Sequence, residues 1–236
     1  MPLGLDALVR SPIWGVVVLA WIVVLMHHFI DRAVILAVDG LPQWVIDAAH
    51  FLEWFGLGTV PIAGGLLWAG ATAVVALSFA PGASRRIIWA LSQSGLLVAV
   101  TSIWAGLIVI LLKRLAGRPR PWAWLNNGDY DWVILGFRRI HVSIPSGHTA
   151  TAFAFAAALS MLFPRAKWWV IGAATLIGLS RVVSMQHWPS DVLVGAAVGW
   201  LAAQIAGRLF VGSEGLLQQT QTGQLKAQFP WASPKR

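Results

Sequence analysis

Three short stretches of the sequence concentrate side chains able to hold an anion and move a proton. Lys113 and Arg120-Pro121 stand within Lys113-Arg-Leu-Ala-Gly-Arg-Pro-Arg-Pro121, Pro145-Ser146-Gly147-His148 opens an apolar run, and Ser180-Arg181 is followed by His187 and Asp191. Lys113, Arg120 and Arg181 are permanent donors, and the planar fork of arginine suits a tetrahedral oxyanion. Ser146-Gly147 just before a helix supplies backbone N–H groups and close approach, and a helix N-terminus is itself an anion site. In His187-Trp-Pro-Ser-Asp191 the proline suits a first helical turn. Asp191 can then turn back to accept from one ring nitrogen of His187, leaving the other free as a nucleophile. His148 is placed to protonate a departing oxygen. Nucleophile, orienting carboxylate, acid and anion clamp together form the set that phosphoryl transfer without a metal requires.

The elements that must carry these groups are membrane helices. Of the 236 residues, 58% are apolar and only 11% charged, with a mean hydropathy of +0.71. A soluble domain carries about 25% charge, so the chain cannot clothe a water-facing surface. With no cysteine, disulfides, iron–sulfur clusters, cysteine zinc sites and thiol nucleophiles are excluded. The net charge of +8 arises mostly from cations at the ends of apolar runs, which membrane topology explains without a nucleic-acid partner. Uncharged runs predict six spans, at Ile13–Ile30, Phe55–Phe79, Ile87–Leu112, Thr149–Phe163, Trp168–Val183 and Val192–Phe210. Backbone groups in lipid must pair within the segment, so the spans are helices and the fold is all-α. The fourth and fifth runs are short against the roughly 20 residues a span needs.

Loop charge sets the orientation. With the N-terminus inside, the inner loops hold Arg85 and Arg86, then Arg165 and Lys167, then Arg208, Lys226, Lys235 and Arg236. The first outer loop instead holds Asp31, Asp39, Asp47 and Glu53 against Arg32, as the positive-inside rule requires. The outer loop from Lys113 to Arg139 breaks that rule with six cations against Asp129 and Asp131, and binding an anion is the reason such a loop would be kept. Counting crossings places all three chemical clusters at the outer face. Ile13–Ile30 reads as a retained span, because no small-x-small cleavage site follows it. Between Pro42 and Phe55, polar residues recur every three to four positions opposite Trp44, Phe51 and Phe55, predicting an amphipathic helix on the outer interface. Residues 1–211 thus form one six-helix membrane domain, and residues 212–236, rich in Gln, Gly and Thr, a flexible cytoplasmic tail.

Lys-x6-Arg-Pro, Pro-Ser-Gly-His and Ser-Arg-x5-His-x3-Asp resemble the three signatures of the type-2 phosphatidic acid phosphatase superfamily, and all eleven fixed letters stand here in order. The resemblance implies a lipid phosphate or diphosphate phosphatase of the inner cell membrane, of the undecaprenyl-diphosphatase or phosphatidylglycerophosphatase kind. It implies a phosphohistidine on His187, activation by Asp191 and leaving-group protonation by His148. Phosphate binding falls to Lys113, Arg120, Ser146, Gly147 and Arg181, with no metal, no cofactor and no protein partner. Arg114, Arg118, Arg138 and Arg139 fit either headgroup steering or interfacial solvation, and His27, His28, His50 and His141 match no motif. Competing activities are a lipid phosphotransferase of the same family, an intramembrane serine protease and a vanadate-dependent haloperoxidase. The protease would need a Gly-x-Ser-Gly context, yet Ser146 follows Pro145. Soluble haloperoxidases do not share the apolar spans.

Overall fold

The structure is a computed structural model that describes residues 12–79, 82–128, 130–136, 138–212 and 216–228. Helices α1 (Pro12–Phe29) and α2 (Asp31–Asp39) meet at a 49° bend. There follow α3 (Gln43–Glu53), α4 (Thr59–Ser78), α5 (Gly82–Ala116), α6 (Pro121–Asn127), α7 (Gly147–Leu162), α8 (Lys167–Val183) and α9 (Pro189–Gly207). Four helical stretches are long and apolar enough to cross a membrane, Gln43–Ser78, Ser84–Asn127, Pro164–Val183 and Pro189–Phe210, and the bent α1–α2 pair makes a fifth. Phe51, Trp54, Phe55, Leu67 and Trp169 turn outward, as side chains bathed in hydrocarbon do.

Helix α7 is the shortest of the apolar helices and the hub of the bundle. Its 16 residues rise about 24 Å, less than the roughly 30 Å of a hydrocarbon core. It packs against α5, α8 and α9, and Ala150, Ala154, Ala157 and Ala158 are fully buried. Small residues let backbones approach closely where lipid offers no hydrophobic drive between helices. Gly199 of α9 is the tightest approach between two helices: a Cβ there would lie 2.0 Å from the carbonyl oxygen of Ala150.

At its far end α5 stops at Gly117, whose φ of 61° lies in the left-handed region. Its N–H donates to Lys113 O at 3.2 Å, closing the helix in the manner of a glycine C-cap. The loop 130–136 is then pinned by Val133 N–H donating to Gly117 O at 2.9 Å. Lys113 therefore sits in the last turn of a continuous 35-residue helix, one turn deeper in regular structure than a span ending at Leu112 implies.

Two expectations are corrected. The tail is not structureless: β1 (Leu217–Gln219) and β2 (Leu225–Ala227) pair antiparallel, adding a small hairpin to an otherwise all-α fold. Leu216, Leu217, Leu225 and Ala227 pack on Ala157, Met161, Leu162 and Ala203 at the end of the bundle remote from His148. Each strand shows only three residues of alternation, too few to stand out in composition, while burying each leucine stabilises by about 2 kcal/mol. Residues 213–215 and 229–236 lie outside the described residues. Asp31, placed by its charge in a solvated loop, is fully buried in the first turn of α2.

Replacing Gly199 by valine should force α7 and α9 apart and cost about 3 kcal/mol, read as a fall of several degrees in the melting temperature of the detergent-solubilised protein. An unchanged melting temperature would remove this contact as a determinant of the bundle.

Candidate active site

The site forms where α5, α7, α8 and α9 end on the same side. Ser146 caps α7, its Oγ accepting from Thr149 Oγ1 at 2.8 Å and from Thr149 N–H at 3.4 Å. Ser146 N–H donates to Asp191 O at 3.0 Å, which ties the start of α7 to the first turn of α9. Gly147 and His148 follow, half-buried. Ser146 itself is wholly buried, and its oxygen accepts both hydrogen bonds of the cap.

The spacing Arg181-x5-His187 has a backbone cause. The Arg181 carbonyl accepts from both Gln186 N–H (3.1 Å) and His187 N–H (3.0 Å), folding the chain into a tight turn through Met185, whose φ is 57°. Trp122 N–H, in the first turn of α6, donates to Met185 O at 3.3 Å, and Arg120 Nη1 donates to Gln186 Oε1. Thus Arg120, Arg181 and His187 are held by one turn. Lys113 and Arg120 both act electrostatically on His148 and on His187, so both imidazoles lie within reach of the same cations although one comes from α7 and the other from the turn before α9.

His187 is 2% exposed. Burial pushes its pKa down to about 3 against the opposing pull of Asp191, so the ring is neutral and nucleophilic at physiological pH. Its Nδ1 lies 3.7 Å from Asp191 Oδ2, beyond hydrogen-bond length. The expected His187–Asp191 hydrogen bond is therefore replaced by a longer electrostatic contact, because other donors hold the carboxylate. Arg118 Nη1 donates to Oδ1 at 2.6 Å, Ser143 Oγ to Oδ2 at 2.5 Å and Trp188 N–H to Oδ2 at 2.9 Å. The last is the reach-back of a residue at the third helical position to the cap.

Arg118 and Asp31 are the residues that sequence reasoning missed. Arg118 is 1% exposed; besides Asp191, it donates through Nη1 to Ser190 Oγ (2.7 Å) and through Nη2 to Asp31 Oδ2 (2.6 Å). Asp31 also accepts from Ser190 N–H at 3.0 Å and from Ser190 Oγ at 2.5 Å. The guanidinium lies 5.4 Å and 5.1 Å from the ring centres of Trp132 and Trp188, and His27 Nδ1 sits 3.0 Å from Nη2. Trp188 is wholly buried, its indole N–H donating to Pro119 O at 2.8 Å. The only sequence signal for Arg118 was its place between Lys113 and Arg120; Asp31 carried none. Arg138, Arg139 and Asp131 are exposed, and Asp129 lies outside the described residues. Among the described residues no group of three metal-ligating side chains occurs.

Residues 94–212, just over half of the chain, match the PAP2 superfamily. The chain belongs to that family. Lipid A 1-phosphatase of Rhizobium etli is 38% identical over 108 residues, 46% of this chain and 47% of that protein. Lipid phosphate phosphatase 1 of Arabidopsis thaliana is 33% identical over 162 residues, 53% of this chain and 47% of that protein. The matches thus span about half the length of these curated relatives. Two solved structures share the fold. Aquifex aeolicus LpxE, 23% identical, aligns with a TM-score of 0.52 over 75% of this chain and 93% of that one. The PAP2-type phosphatidylglycerolphosphate phosphatase of Bacillus subtilis, 17% identical, aligns with a TM-score of 0.54 over 84% and 94%. All of Lys113, Arg120, Ser146, Gly147, His148, Arg181, His187 and Asp191 lie inside the PAP2 segment; Asp31 and Glu53 precede it.

Glu53, at the end of α3, reaches into the PAP2 site and pairs through Oε1 with Arg181 Nη1, with His50 Nδ1 at 3.4 Å on its other side. A carboxylate paired with Arg181 would compete with any oxyanion that the guanidinium received. Glu53→Gln should therefore tighten inhibition by inorganic phosphate, by about threefold to tenfold for a partly exposed pair. Equal inhibition constants for variant and parent would show that Glu53 does not contest the clamp.

Proposed function

We propose that this chain is an integral-membrane phosphatase that hydrolyses the phosphate or diphosphate of a lipid headgroup through a phosphohistidine intermediate. The observation that carries the reading is a pair of buried donors without hydrogen-bond partners, Arg120 Nε and Arg181 Nε, in the pocket that holds the neutral His187. Unpaired buried donors on cations are costly, and a tetrahedral oxyanion would satisfy both.

In this mechanism Lys113, Arg120, Arg181 and the first N–H groups of α7 at Gly147 and His148 hold the phosphoryl oxygens. His187 Nε2 attacks phosphorus; the N–P bond forms as the P–O bond to the lipid breaks, and His148 gives its proton to the departing oxygen. Asp191 stabilises the positive charge that the imidazole acquires. A water molecule, deprotonated by His148, then displaces His187 and releases inorganic phosphate. Three cations supply the charge that a metal would otherwise supply.

The substrate class follows from position and relatives. The site lies at the ends of apolar helices, where a lipid headgroup is found, and relatives are named for lipid A and for lipid phosphate. With α7 counted as a short sixth crossing and α3 lying along the interface, the loop-charge pattern supports a site at the outer face of the inner cell membrane and both termini in the cytoplasm.

Purified protein should release inorganic phosphate from at least one of phosphatidic acid, phosphatidylglycerol phosphate, undecaprenyl diphosphate or lipid A with EDTA present. His187→Ala should lower the rate by at least a thousandfold. Phosphate release by His187→Ala at the parental rate would remove the proposed nucleophile, and complete inhibition by EDTA would replace the cation clamp with a metal.

A further inference from the structure

The catalytic apparatus extends beyond the PAP2 segment, back into the bend of the first membrane helix. We infer that Asp31 is a positioning residue for the reaction: through Arg118 it sets the place and the net charge of Asp191 behind His187. This rests on the phosphohistidine reading given above and adds a residue to it.

Asp31, Arg118 and Ser190 form a closed ring of contacts, and Asp191, the next residue after Ser190, joins it through Arg118. Arg118 donates to both carboxylates at 2.6 Å, and Ser190 joins Arg118 and Asp31 through its Oγ. Asp31 and Asp191 are 0% exposed and Arg118 is 1% exposed. The ring draws its members from three parts of the chain, the first turn of α2, the loop after Gly117 and the first turn of α9. It needs the 49° bend between α1 and α2, which turns the Asp31 carboxylate toward the start of α9.

Arg118 alone would be a poor partner for a catalytic carboxylate. A guanidinium bound solely to Asp191 cancels its charge and leaves His187 facing a neutral pair. Asp31 changes that balance, because two carboxylates share one guanidinium and the ring keeps a net negative charge. Asp191 Oδ2, 3.7 Å from His187 Nδ1, is the edge of the ring nearest the nucleophile. When His187 Nε2 bonds to phosphorus the ring becomes cationic, and that charge develops beside the net negative cluster. Asp31 touches neither the substrate nor the phosphate clamp, so its effect falls on the chemical step and not on phosphate affinity.

The test is Asp31→Asn, which keeps the shape and the acceptor for Ser190 N–H while removing the charge. Steady-state release of phosphate from phosphatidic acid in detergent micelles should show kcat at least tenfold lower, with inhibition by inorganic phosphate changed less than threefold. In the Asp191→Asn background, adding Asp31→Asn should lower kcat by less than threefold more, because Asp31 works through Asp191. Ser190→Ala, which removes one link of the ring without touching a charge, should show the same split with a smaller fall in kcat, and it carries the prediction if Asp31→Asn does not yield monodisperse protein. A parental kcat in both single variants overturns the inference, as does an equal loss of kcat and phosphate affinity, or losses that multiply in the Asp191→Asn background. Full activity of His187→Ala would instead overturn the underlying phosphohistidine reading, so the two failures are separable.

Discussion

Burying charge is the constraint from which the rest of this structure follows. One guanidinium and two carboxylates lie under a bilayer-facing bundle with almost no exposure, where each ion alone would cost several kcal/mol. They persist because nearly every lone pair and proton is matched: two oxygens of Asp31 by Ser190 and Arg118, two of Asp191 by Arg118, Ser143 and the Trp188 backbone. Removing one member of such a set costs about 3–5 kcal/mol, so the helices that supply them are locked in register. The bend at Ile30, the glycine stop of α5 and the turn before α9 all bring one of these charges to the common point.

Beside this satisfied cluster lies its opposite. Lys113, Arg120 and Arg181 crowd into one pocket with like charges and with donors that have no acceptor. The two regions are adjacent, and Asp191 and His187 stand on the boundary between them. A site of this kind is assembled by the fold against its own electrostatic preference, and the tight alanine and glycine packing of α7 against α9 supplies the rigidity that holds it. Glu53 relieves part of the repulsion from outside the PAP2 segment.

The letters of the candidate anion site were legible in the sequence because their spacing reflects local backbone geometry. Arg181 and His187 are six residues apart because the Arg181 carbonyl accepts from Gln186 and His187 N–H and closes a turn, and Ser146 precedes Gly147 because a helix needs a cap. What stayed hidden depends on pairing across the chain. Arg118 meets Asp31 across 87 positions and Ser190 across 72, and no periodicity encodes such a meeting. A charge in a presumed loop, such as Asp31, looks solvated until the helix bend that buries it is known. The hairpin at 217–227 was missed because two three-residue strands carry less pattern than their Gln- and Gly-rich surroundings.

The shared carbonyl of Arg181 has a mechanical implication. Because the guanidinium of Arg181 and the imidazole of His187 belong to one hydrogen-bonded turn at the tip of α8, they travel together whenever that helix tilts. Membranes fluctuate in thickness, and a transmembrane helix answers by leaning. Side chains mounted on separate helices would drift apart with each such excursion, whereas Arg181 and His187, on the same turn, keep their separation in a soft medium.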